Sequence, residues 1–122
     1  MTAGRIAIVD DDPAIRSALT RLVRSLDYEP LLFDSAETFL DVLDAIAPDC
    51  VVTDVQMPGL TGIELLRTIR ERRPDLPVVL ITAYPSALGR DRALAAGAFA
   101  YLSKPFLADE FERCLAAVFG RS

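Results

Sequence analysis

The stretch "VVTDVQMPGLTG", residues 51–62, decides the fold. Val51 and Val52 belong to a continuous apolar run, the signature of a strand buried on both faces. The run ends on a carboxylate, Asp54, and the chain then turns through Met57-Pro58-Gly59. A buried strand that delivers an acid to its own end places that acid at the edge of a sheet.

The same pattern extends outward in both directions. Short apolar runs at 5–9, 29–33, 49–54, 77–83 and 99–104 alternate with helix-period segments at about 13–26, 35–46, 62–72, 86–96 and 108–119. Asp12 is placed to cap the first helix and Pro13 fits its first position. Pro30 makes the second strand an edge strand, and Gly97 and Gly120 stop helices. The pattern is (βα)₅: a doubly wound, five-stranded parallel sheet covered on both faces, with right-handed crossovers and strand order 2-1-3-4-5. Phe33, Phe39, Phe99, Phe106, Phe111 and Phe119 fall at positions that read as core, and Tyr101 reads as a half-exposed strand residue.

Composition bounds the function. The 122 residues make one domain over 1–122, 52% are hydrophobic, and the net charge is −5. Disorder is excluded by that apolar content, and binding to a nucleic-acid backbone is disfavoured by the sign of the charge. With no histidine, a Cys/His zinc site and a histidine-based triad are excluded. Cys50 and Cys114 read as small core residues. The opening "MTAGRIAIVDDD" is not a signal peptide and no apolar run is long enough to span a bilayer, so a cytoplasmic, membrane-free protein is expected. Only Arg121 and Ser122 follow Gly120, which ends the last helix, so no output domain is expected in this chain.

Ligands of open parallel sheets bind outside the carboxyl ends of the strands, where strand order reverses. Strand 1 ends in Asp10-Asp11-Asp12, strand 3 in Asp54, strand 4 in Thr82 and strand 5 in Lys104-Pro105. Each group alone has an ordinary explanation: helix capping for the acids, a satisfied strand hydroxyl, a solvated lysine. Together they define a site. Asp10, Asp11 and Asp54 bring three negative charges and Lys104 one positive, and a divalent cation balances the remainder. Magnesium, or manganese in its place, suits such oxygen donors, with two carboxylates, one backbone carbonyl and three waters as a plausible set. A carboxylate held beside such an ion is equipped to accept a phosphoryl group. Lys104 and Thr82 are donors suited to the phosphoryl oxygens.

The ordered set "IVDDDP", "VVTDVQMPGLTG", "VVLITA" and "GAFAYLSKPF" resembles the receiver domain of bacterial two-component response regulators across nearly the whole chain. The resemblance implies that Asp54 is the phosphoacceptor. It makes Asp10 and Asp11 the acidic pair for Mg²⁺, and the backbone carbonyl of Gln56 a further ligand. Thr82 becomes the switch hydroxyl and Tyr101 the switch aromatic, turning inward as Thr82 moves toward the phosphoryl group. Lys104 ion-pairs with that group, and the Lys104–Pro105 bond is cis. Gln56 and Tyr84 border the water path to the acyl phosphate, and the Tyr84 ring is expected to slow dephosphorylation. The implied partner is a sensor histidine kinase or phosphotransfer protein. The region from strand 4 to helix 5 would be the readout surface for a transcriptional output, with homodimer formation on phosphorylation as a further expectation. A stand-alone receiver, acting through protein contacts or as a phosphate sink, and a degenerate, unphosphorylated receiver remain alternatives. A haloacid-dehalogenase-type phosphatase would want an acid where Gln56 stands, and a flavodoxin-like module would want a glycine- and hydroxyl-rich first loop instead of three aspartates.

Overall fold

The computed structural model describes residues 4–120. The expectations for the first three residues and for Arg121 and Ser122 lie outside that span. The chain runs β1 (Arg5–Val9), α1 (Pro13–Ser25), β2 (Glu29–Phe33), α2 (Ala36–Ile46), β3 (Cys50–Asp54), α3 (Gly62–Arg72), β4 (Val78–Thr82), α4 (Ala87–Ala95), β5 (Ala100–Ser103) and α5 (Ala108–Val118). All strand pairs are parallel, in the order β2-β1-β3-β4-β5.

The two-residue period of the strands sorts the core into two layers. Ala7, Val9, Val51, Val78 and Leu80 face one way and pack with Phe39 and Leu43 of α2 and Leu65, Leu66 and Ile69 of α3. Ile6, Ile8, Val52, Val79 and Ile81 face the other way, onto Leu19 and Val23 of α1 and Phe111 and Leu115 of α5. Every residue of β3 and β4 is buried, which is why residues 50–52 and 78–81 read as continuous apolar runs. Cys50 is buried, Cys114 half-buried, and both are free thiols. Burial pushes each thiol's pKa up.

Helix starts follow local chemistry. Asp12, Ser35, Thr61 and Ser86 each cap a helix through a side-chain oxygen, and Thr61 forms a reciprocal capping box with Glu64. Ser35 and Ser86, expected as the first helical residues, are therefore caps just outside them. The largest departure is Phe99, read as core but 45% exposed. It precedes the four-residue edge strand β5, and the neighbouring α4 buries only Ala93. Tyr101 departs the opposite way. Expected to be half-exposed, it is buried in the layer beneath α4.

Candidate functional site

The parallel register brings the strand ends level. Asp10 follows the last residue of β1, Asp54 and Thr82 are the last residues of β3 and β4, and Lys104 follows β5. Asp10 and Thr82 are wholly buried, Asp54 is 6% exposed, and Asp11 lies open to solvent. Three oxygens, one from each of Asp10, Asp11 and Asp54, lie within 4.8 Å of one another. Asp12 stands apart because its carboxylate accepts from the Ala14 N–H at 2.9 Å in capping α1.

Lys104 reaches into this cluster. Its Nζ lies 3.2 Å from Asp10 Oδ2 and 3.4 Å from Asp54 Oδ2. The lysine is fixed from behind by its backbone N–H, which donates to Thr82 O at 2.6 Å; the Lys104–Pro105 bond is cis. Asp10 is held as firmly. Its Oδ1 accepts from the Asp12 N–H, its own N–H donates to Phe33 O, and its carbonyl takes the Arg16 guanidinium at 2.6 Å.

Asp54 accepts from the Gln56 N–H at 3.3 Å. Burial, and then the neighbouring Asp10 carboxylate, push its pKa above the usual aspartate value, while Lys104 and the Gln56 N–H pull the other way. The ionised cluster is thus under-compensated: three carboxylates face one ammonium. This donor set, all oxygen and closely spaced, fits a small divalent cation.

The loop that follows Asp54 is anchored at three points. Gly62 opens α3 so close to the strand that a Cβ there would collide with Asp54 O. The Leu60 N–H donates to Glu37 Oε2 of α2 at 3.2 Å. Gly59, at φ +76°, leaves Glu37 the room for that contact. Beyond the loop, the Thr82 hydroxyl donates to Gln56 Oε1 at 2.8 Å and accepts the Tyr84 N–H at 3.0 Å. The Tyr84 ring itself is 75% exposed.

Arg16, Glu37, Gly62 and the pairing of Gln56 with Thr82 were not anticipated from the sequence. Arg16 and Thr82 act through contacts that depend on loop paths, and Glu37 lies 23 residues from its partner. Only Gly62, a glycine at a strand-to-helix approach, carried a signal of its own.

The response regulator receiver domain model matches residues 6–116. The chain is a member of that family. It is 40% identical over 105 residues to the transcriptional regulatory protein FixJ of Bradyrhizobium diazoefficiens, covering 86% of this chain and 51% of FixJ. It is 40% identical over 110 residues to the DNA-binding transcriptional regulator NtrC of Klebsiella pneumoniae, covering 90% of this chain and 24% of NtrC. The receiver domain therefore spans about half of one relative and a quarter of the other. Among solved structures, a beryllofluoride-activated DrrB receiver domain superimposes with a TM-score of 0.89 at 31% identity, over 99% of this chain and 100% of that one. The chain is thus a two-component signalling domain with the fold of its family.

Proposed function

We propose that this receiver accepts a phosphoryl group on Asp54 from a phosphohistidine of a sensor kinase or phosphotransfer protein. The observation that carries this reading is the convergence of Asp10, Asp11 and Asp54 with Lys104 at one sheet edge. An Asp54 carboxylate oxygen attacks phosphorus, the P–N bond breaks, and its electron pair leaves with the imidazole. A Mg²⁺ ion held by Asp10, Asp11 and Asp54, with the Gln56 carbonyl as a further ligand, would neutralise the incoming phosphoryl charge. Lys104 already bridges Asp10 and Asp54, and it is placed to donate to a phosphoryl oxygen as its pairing with Asp54 is given up. Arg16 and the Asp12 N–H keep Asp10 in position throughout.

Thr82 supplies the second donor, and its movement toward the phosphoryl group carries the change to the surface from β4 to α5, where Tyr101 is already turned inward. Exposed Leu88 and Leu94 on α4, with Phe99 ahead of β5, give that surface apolar contacts to offer a partner or a second copy. A transcriptional output is favoured by the relatives, FixJ and NtrC both being transcription regulators. A cytoplasmic location goes with this role, and no described helix is long and apolar enough to cross a membrane.

Acetyl phosphate with magnesium tests the chemistry. Mass spectrometry should find one base-labile phosphoryl group at residue 54, lost in Asp54→Asn; a parent protein that stays unmodified would refute the proposal. Gln56 and Tyr84 border the approach of water to that group. Truncation by Tyr84→Ala should speed dephosphorylation severalfold, and an unchanged rate would remove the ring from the account.

A further inference from the structure

The two halves of the switch stand in opposite positions. Tyr101 is already inward and 9% exposed. Its hydroxyl lies against Gly89, where an added Cβ would stand 2.9 Å away. Thr82 is not free to follow. Its hydroxyl carries one proton, and that proton is committed to Gln56 Oε1 at 2.8 Å while the Tyr84 N–H fills a lone pair at 3.0 Å. The bond has the short, favourable length of an O–H···O contact.

Gln56 makes this bond from a fixed base. Its N–H donates to Asp54, and the loop beyond it is tied to Glu37 and to the Thr61–Glu64 capping box. The acceptor is therefore held at the strand edge, beside the group that would receive phosphate.

We propose that the Gln56 side-chain amide is the latch of the switch: it holds the Thr82 proton, and activation requires that this bond be given up. The proposal rests on the reading of Asp54 as phosphoacceptor. It assigns the energetic gap between the two states to a single hydrogen bond, with the aromatic ring already in place. A bond of this kind sets a modest gap, which a phosphoryl oxygen bound at Asp54 overcomes by offering a charged acceptor.

Beryllofluoride with magnesium is the probe, because it mimics a phosphoryl group without exposing an acyl phosphate to hydrolysis. This separates the latch from any effect of Gln56 on water. Binding is followed by ¹⁹F NMR. Gln56→Ala should lower the half-saturating beryllofluoride concentration about three- to tenfold. In a Thr82→Ala background, the same substitution should change it less than about twofold, because the latched proton is gone. An unchanged or weaker affinity in Gln56→Ala, or an equal gain in both backgrounds, would overturn the latch. Failure of the parent protein itself to bind beryllofluoride would instead overturn the phosphoacceptor reading beneath it.

Discussion

The acid edge and the α4–β5 side are built from the same sheet on opposite terms. At the acid edge Asp10, Asp54 and Thr82 are buried and the groups are cross-tied: Lys104 spans two carboxylates, Arg16 holds Asp10, and Gly62 brings α3 hard against the end of β3. On the other side, α4 buries only Ala93, carries a glycine in its first turn, and leaves Leu88 and Leu94 exposed. The adjoining β5 has four residues, of which only Tyr101 is buried. Group transfer needs reacting atoms at fixed separations, whereas a readout surface needs two arrangements close in free energy. Local stability is unevenly distributed in folded proteins, and moving elements come from its lower end. On the proposed function, the division of the sheet follows that requirement.

The firmness of the acid edge has a cost, which Asp54 exposes. Its raised pKa means that the folded protein binds the Asp54 proton more tightly than the unfolded chain does. The associated stability is fully present below the ordinary aspartate pKa and is lost as pH rises through the folded value. Asp54→Asn removes that loss. Asp10 keeps Lys104 as a partner, so no buried charge is abandoned. The metal-free variant should therefore melt several degrees above the parent at neutral pH, with the difference closing as the solution is acidified. Magnesium should narrow the gap by stabilising the parent more, because a ligand that binds only the folded state adds to its stability. A metal-free variant less stable than the parent at neutral pH would show that Lys104 already balances the edge, and the contrast between the two regions would lose its electrostatic half.

The sequence made the cross-tied region easier to read than the sparsely packed one. β1, β3 and β4 are buried on both faces, so each carries a continuous apolar run with polar groups gathered toward the carboxyl end. That is why Asp10, Asp54 and Thr82 could be located. On the α4–β5 side the rules weaken. Phe99 follows the composition of a core residue, but an edge strand beside a short, shallow helix has little core to offer. Tyr101 is buried because of a space on α4, which no periodicity in β5 encodes. The pairing of Gln56 with Thr82 depends on the path of the loop after Asp54, and that path is set by Glu37, Gly59 and Gly62 together.

That space on α4 supplies the smaller and sharper test. Replacing a helical glycine with alanine ordinarily stabilises a protein by about 0.5–1 kcal/mol. At Gly89 the new Cβ would stand 2.9 Å from the Tyr101 hydroxyl and from Ser86 Oγ. The serine is a capping side chain whose tip can turn, but the tyrosine hydroxyl is the end of a rigid ring held in the core. Gly89→Ala should therefore destabilise the parent by about 1 kcal/mol, or turn the ring outward, reversing the usual sign. Tyr101→Phe removes the offending oxygen, and the nearest remaining ring atom would be Cζ at 3.6 Å, an ordinary contact. In that background Gly89→Ala should stabilise by the customary amount. Urea unfolding of the four proteins measures the cycle, and tyrosine exposure by NMR reports where the ring goes. If alanine stabilises both backgrounds equally, Gly89 is not what admits Tyr101, and the looseness of α4 is a matter of poor helix composition alone. If the sign reverses only when the hydroxyl is present, the sparsely packed side of the sheet contains one position built to fit, and it is the position that receives the Tyr101 ring.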